Sequence, residues 1–132
     1  MKPLLLAGAL LCAGSAFAQS ACPHASEVRQ ADVIGLWRAE FTGAGHAGTL
    51  LLEKHALYAE SFSGFINRNG ERRMLAGDVE DGEFTLEESA DGQRISATWV
   101  GEVVEGSCGK EIRGTWTAEG DPAERSFILR KQ

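Results

Sequence analysis

The sequence predicts an all-β domain, an eight-stranded antiparallel up-and-down barrel that closes on itself. Three observations point there. From Ile34 onward apolar residues recur with period two, the spacing of strands with one buried face. Turn-forming residues interrupt that alternation every eight to twelve positions. No stretch carries the three-to-four spacing of a long amphipathic helix. The breaks fall at 43–48, 54–56, 67–70, 81–82, 90–92, 105–109 and 120–122, and seven breaks separate eight strands. Closing such a meander removes the exposed edges that invite aggregation. A two-sheet β-sandwich has the same alternation and is the alternative architecture.

Taken from its start, the chain opens with Met1 and Lys2, an apolar run from Leu4 to Leu11, and the small-x-small pattern Ala16-Phe17-Ala18. That combination predicts a signal peptide over residues 1–18 and places the remainder in the periplasm or outside the cell. The run is too short for a stable membrane span, which needs about 20 apolar residues. Lipidation at Cys12 is the competing reading, but Leu11 stands where a small residue is wanted. After cleavage Cys22 and Cys108 remain. An even pair in an oxidising compartment is expected to form a disulfide, the alternative being two buried thiols. Residues 19–33 read as an N-terminal tail with at most a short helix over 26–31, and residues 34–132 as the barrel domain.

Within the barrel, alternation assigns the faces. On the first strand Gly35, Trp37, Ala39 and Phe41 look inward; Leu50 and Leu52 follow on the second. The third is ambiguous. If Tyr58, Glu60, Phe62, Gly64 and Ile66 share the inner face, Glu60 needs a buried partner such as Arg72; otherwise Glu60 is surface. Phe84 and Leu86, then Ile95, Ala97, Trp99 and Gly101, then Ile112, Gly114 and Trp116, then Phe127 and Leu129 complete the interior, with Lys54, Glu83, Thr85, Glu87 and Arg113 outside. Asp81-Gly82 and Asp91-Gly92 are expected to form two-residue hairpins, since both residue types tolerate positive φ.

Charge narrows the functional classes. The whole chain carries −6 at pH 7, and without Lys2 the 12 basic residues that remain face 19 acidic ones, a balance of −7. A nucleic-acid binder needs a basic surface, so that class is disfavoured. Six acids crowd into eleven residues: Asp78, Glu80, Asp81, Glu83, Glu87 and Glu88. Carboxylates so placed repel one another and stay in water, where they attract a basic protein or peptide with salt-dependent rates. Opposite in sign, Arg68, Arg72 and Arg73 cluster near Asn69-Gly70.

A short pattern recurs in Gly35-Leu36-Trp37, Ala97-Thr98-Trp99 and Gly114-Thr115-Trp116, a small residue two places before an indole. Filling of the barrel interior accounts for it; a pocket for a small apolar ligand lined by Trp37, Trp99, Trp116 and Tyr58 is the sharper reading. Gly35-x-Trp37 at the start of the first strand, together with Arg130 near the end of the last, resembles the signature of the calycin superfamily of lipocalins, fatty-acid-binding proteins and avidins. The resemblance implies the barrel fold. Biotin binding is not implied, because the avidins' polar contact set has no match.

Catalysis finds no support. His24, His46 and His55 are scattered over the tail and two turns, and no Ser or Cys sits in a nucleophile turn. With no CxxC and no Cys/His cluster, neither metal nor cofactor is expected. The sequence therefore leads to a non-catalytic binding protein, with a basic partner on the acidic hairpin first and an apolar ligand among the indoles second.

Overall fold

The computed structural model describes residues 22–132, together with isolated positions 3, 8, 9 and 14. The expected signal peptide, its cleavage site and Cys12 lie outside the described residues. Eight strands follow a short 3-10 turn (Ala25–Glu27) and one helical turn, α1 (Gln30–Val33): β1 (Gly35–Phe41), β2 (Gly45–Lys54), β3 (Phe62–Arg68), β4 (Glu71–Glu80), β5 (Glu83–Ser89), β6 (Ile95–Val103), β7 (Glu111–Ala118) and β8 (Glu124–Lys131). Each pairs antiparallel with its chain neighbour, and β8 returns to β1, with Trp37 opposite Lys131 and Phe41 opposite Phe127. The sheet is a closed barrel, not a sandwich.

The interior is filled largely by the residues that the alternation assigned to it; Ile95, expected inside, is 44% exposed, because it lies at the start of β6 beyond the register irregularity at Glu88/Ser89. Trp37, Ala39, Phe41, Leu50, Leu52, Phe62, Ile66, Phe84, Leu86, Trp99, Ile112, Phe127 and Leu129 are all buried. Rings pack on rings along the axis: Phe62 stacks on Phe84 at 5.6 Å, and Trp99 meets Phe127 edge-on at 4.8 Å. A barrel of eight strands is just wide enough for such side chains to fill. Its curvature requires glycine where strands approach closely. At Gly114 a Cβ would collide with the Val100 carbonyl oxygen, so the small residue of the Gly114-x-Trp116 pattern is explained by the backbone of β6, not by room for an indole.

Two hairpin turns test the turn chemistry. Asp81 and Gly82 have φ of 51° and 79° and join β4 to β5 directly, as their sequence requires. Asp91-Gly92 does not do the same. The β5–β6 connection spans residues 90–94, with a register irregularity at Glu88/Ser89, because the Asp91 carboxylate accepts hydrogen bonds from the Ser89 hydroxyl and the backbone N–H groups of Gln93 and Arg94 and wraps a wider loop around itself. Those donors hold the Asp91 carboxyl down at about 2.

The described part of the N-terminal segment is no loose tail. It crosses one end of the barrel, where Val28 and Val33 join the core. The Trp37 indole donates to the Val33 carbonyl at 2.8 Å, and Lys131 Nζ to the Asp32 carbonyl at 2.7 Å. A Cys22–Cys108 disulfide ties this plug to the β6–β7 loop across 86 positions of sequence, a covalent link that fits an oxidising compartment. The residue crossing Gly35 is Lys131, inward on β8. Arg130, the one named in the resemblance, lies outside and pairs with Glu40 and Glu111.

Candidate functional site

Antiparallel order sends the two ends of the barrel different side chains. The plugged end holds Trp37 and the Asp81-Gly82 turn; the far end holds Phe41, Arg68, Glu88, Trp99 and Trp116. Four of the expected pocket residues are therefore not in one place. Trp99 and Trp116 are neighbours on β6 and β7, Trp37 is at the opposite end, and Tyr58 is 64% exposed on a loop outside the barrel. The third strand begins only at Phe62, so Tyr58 and Glu60 precede it and both are exposed.

Glu88 also departs from the expected acidic hairpin. It is 2% exposed, and among the described residues it is the only buried charged side chain. The reason is plain alternation: Phe84, Leu86 and Glu88 share the inner face of β5. Arg68 reaches inward from the end of β3, and its Nη2 donates to both carboxylate oxygens at 2.8 Å. The Trp99 indole donates to Oε1 at 2.8 Å and the Trp116 indole to the same atom at 3.3 Å. Arg68 and Arg125 both face the Trp116 ring, at 5.4 and 5.9 Å from its centroid. Among the described residues no buried side-chain polar atom lacks a partner, so the cluster closes this end of the core as a structural ion pair. The basic spot expected near Asn69-Gly70 is likewise divided: Arg68 points inside, Arg72 stacks on Phe65 at 3.6 Å, and Arg73 pairs with Glu71.

The other five acids stay on the outer wall. Asp78, Glu80, Asp81, Glu83 and Glu87 are exposed, and among the described residues none of them takes part in an ion pair. Register adds a sixth. Glu80 faces Glu83, and Glu83 faces Glu102, so three carboxylates form one lateral row across β4, β5 and β6. Like charges directly opposite one another destabilise a sheet; the row ends at Arg113 on β7, which stands opposite Glu102 but pairs with Glu111, and Arg130 on β8 pairs with Glu40 and Glu111. A shallow hollow beside the row is lined by Glu83, Thr85, Val100, Glu102 and Arg113. Glu102 escaped the sequence reading because it lies one turn beyond the hairpin and meets Glu83 only through the register of β5 on β6.

Exposed charges also fasten the plug. Glu105 accepts from the His24 ring at 2.7 Å and from the Ala25 N–H at 2.8 Å. The hydrogen bond to Glu105 raises the His24 pKa above its usual 6.5, and the bond from His24 lowers that of Glu105 below its usual 4.5. The raised His24 contributes fully below 6.5 and loses its contribution as pH rises through its folded value. Conversely, the lowered Glu105 contributes fully above 4.5 and loses it as pH falls through its folded value. Protection of the residue 24–27 amides from hydrogen exchange, corrected for intrinsic rates, is therefore expected to peak between about 4.5 and 6.5 and to decline on both sides.

Among the described residues no three His, Cys, Asp or Glu side chains group as a metal site, and no helix is long and apolar enough to cross a membrane. Compared with models of known protein families and with characterised proteins, the chain matches none.

Proposed function

We propose that this is an exported, non-catalytic binding protein on a calycin-type barrel, and that it captures a basic protein or peptide on the acidic wall of β4, β5 and β6. One observation carries the reading: the Glu80, Glu83 and Glu102 carboxylates are aligned across three strands, and among the described residues none of them is within ion-pair distance of a cation, Arg113 opposite Glu102 being paired with Glu111. Charge held in that arrangement is repulsive in the isolated protein, and a cationic partner relieves it. Gly35 and the buried Trp37 at the start of β1 support the calycin type. The second possibility, an apolar carrier, has less support, because Phe41, Trp99 and Phe127 pack against one another where a ligand would sit.

The test is equilibrium binding of a basic lysozyme and of an oligolysine peptide to the wild type and to the triple variant Glu80→Lys, Glu83→Lys, Glu102→Lys. Each loss of a surface charge contact is worth roughly 0.5 to 1 kcal/mol. Reversing three is therefore expected to weaken binding at least tenfold. Unchanged affinity would end the proposal.

A further inference from the structure

We infer that the groove between the 55–61 loop and the outer face of β4 and β5 seats a guanidinium group, an arginine side chain of the basic partner. This inference rests on the function proposed above and assigns its specific contact. The groove is lined by His55, Tyr58, Ser61, Asp78, Thr85 and Glu87. Two independent features meet there. One is charge: Asp78 lies opposite Thr85 and Glu87 opposite Ala76, so the two acids are diagonal neighbours on adjacent strands, with Cα atoms about 7 to 8 Å apart in such a register. The Ser61 hydroxyl donates to Asp78 and orients it, and Glu87 has no ion-pair partner among the described residues.

The other feature is exposed apolar surface: Tyr58 on the facing wall and Leu57 next to it in the chain. Leu57 and Tyr58 are 81% and 64% exposed, the two most exposed large hydrophobic side chains on the described protein. The barrel does not need them there, and leaving them in water is unfavourable. Nor is the loop that carries them slack. Gln30 Nε2 donates to the carbonyls of Ala59 and Ser61 at 3.0 and 2.5 Å, and His55 Nδ1 accepts the Leu57 and Tyr58 N–H groups at 3.0 and 3.2 Å. The Tyr58 ring packs against the His55 ring at 4.9 Å and lines the same groove as the two carboxylates, which preorganises it for a ligand with both a positive end and an apolar stem.

Arginine has that shape. Its methylenes can lie along Tyr58, its planar cation can stack on the phenol, and its fork of five N–H donors can address two carboxylates together. An ammonium group is a compact point charge and satisfies one carboxylate at a time. A bare metal ion does not fit, because no third ligating side chain joins Asp78 and Glu87 among the described residues.

Titration calorimetry with hexa-arginine and hexa-lysine peptides of equal charge tests this. The wild type is expected to prefer hexa-arginine by about three- to fivefold. Tyr58→Ala and Asp78→Asn, both at exposed positions, are expected to abolish that preference while binding to hexa-lysine persists. The triple reversal of Glu80, Glu83 and Glu102 should weaken both peptides and keep the preference. Equal affinity of the wild type for the two peptides, or a preference that survives in Tyr58→Ala, would overturn the arginine seat alone. Failure of the wild type to bind either peptide or a basic lysozyme would overturn the proposed function with it.

Discussion

Replacing Glu88 by alanine is expected to lower the unfolding free energy by about 3 to 5 kcal/mol and the melting temperature by roughly 10 to 20 °C. The substitution removes the one acceptor that satisfies two indole N–H groups and the Arg68 guanidinium. What remains is a positive charge at the mouth of the core without its counter-ion and two donors with no partner. The Arg68 side chain keeps 22% of its surface in water, which moves the expected loss toward the lower end of that range. Glu88→Gln retains an acceptor for an indole and should fall between wild type and Glu88→Ala. The pair Arg68→Met with Glu88→Leu removes both charges together, and a buried ion pair exchanged for apolar groups is often neutral. That double variant should therefore be more stable than Glu88→Ala. Urea unfolding of all four proteins decides it; a loss below about 1 kcal/mol in Glu88→Ala would mean that water reaches the cluster.

Opening the disulfide is expected to cost at least as much. Cys22 and Cys108 are 86 positions apart, and the chain-entropy relation assigns a loop of that length roughly 4 to 5 kcal/mol. The double variant Cys22→Ser, Cys108→Ser is expected to unfold at lower urea by that free energy while keeping its far-ultraviolet β signature, since all eight strand pairings lie outside the plug. The plug should loosen more than the barrel. Hydrogen exchange should quicken first at Val28 and Val33, which are buried only while the segment lies across the barrel end. Coincident unfolding of the oxidised and the serine proteins would contradict this.

The barrel itself was legible because its determinants are local. Alternation placed Trp37, Phe84, Trp99 and Phe127 inside without knowledge of any partner strand, and the Asp81-Gly82 pair specified its own turn. The errors arose where a side chain competes with the backbone or where composition outweighed position. Asp91 drew in the N–H groups of Gln93 and Arg94 and made a wide loop of an apparent hairpin. Glu88 looked like one more carboxylate in an acidic run, although its parity with Phe84 and Leu86 already sent it inward. Arg68, two residues beyond Ile66, was legible in the same way.

The candidate site was less legible, because it depends on neighbours across strands. Glu102 joins Glu83 only through the register of β5 on β6. The meeting of Tyr58 with Asp78 depends on a loop, residues 55–61, whose path is fixed by Gln30 from the N-terminal segment. No local pattern encodes such a contact; it exists only once the plug has crossed the barrel end.

The most direct measurement is the association rate of the wild type with a basic lysozyme as ionic strength rises from about 20 to 200 mM, over which the screening length falls from roughly 20 to 7 Å. Capture by the carboxylates of Glu80, Glu83 and Glu102 requires the rate to fall at least tenfold across that range while the dissociation rate changes little. A rate independent of salt would contradict recognition through the acidic wall.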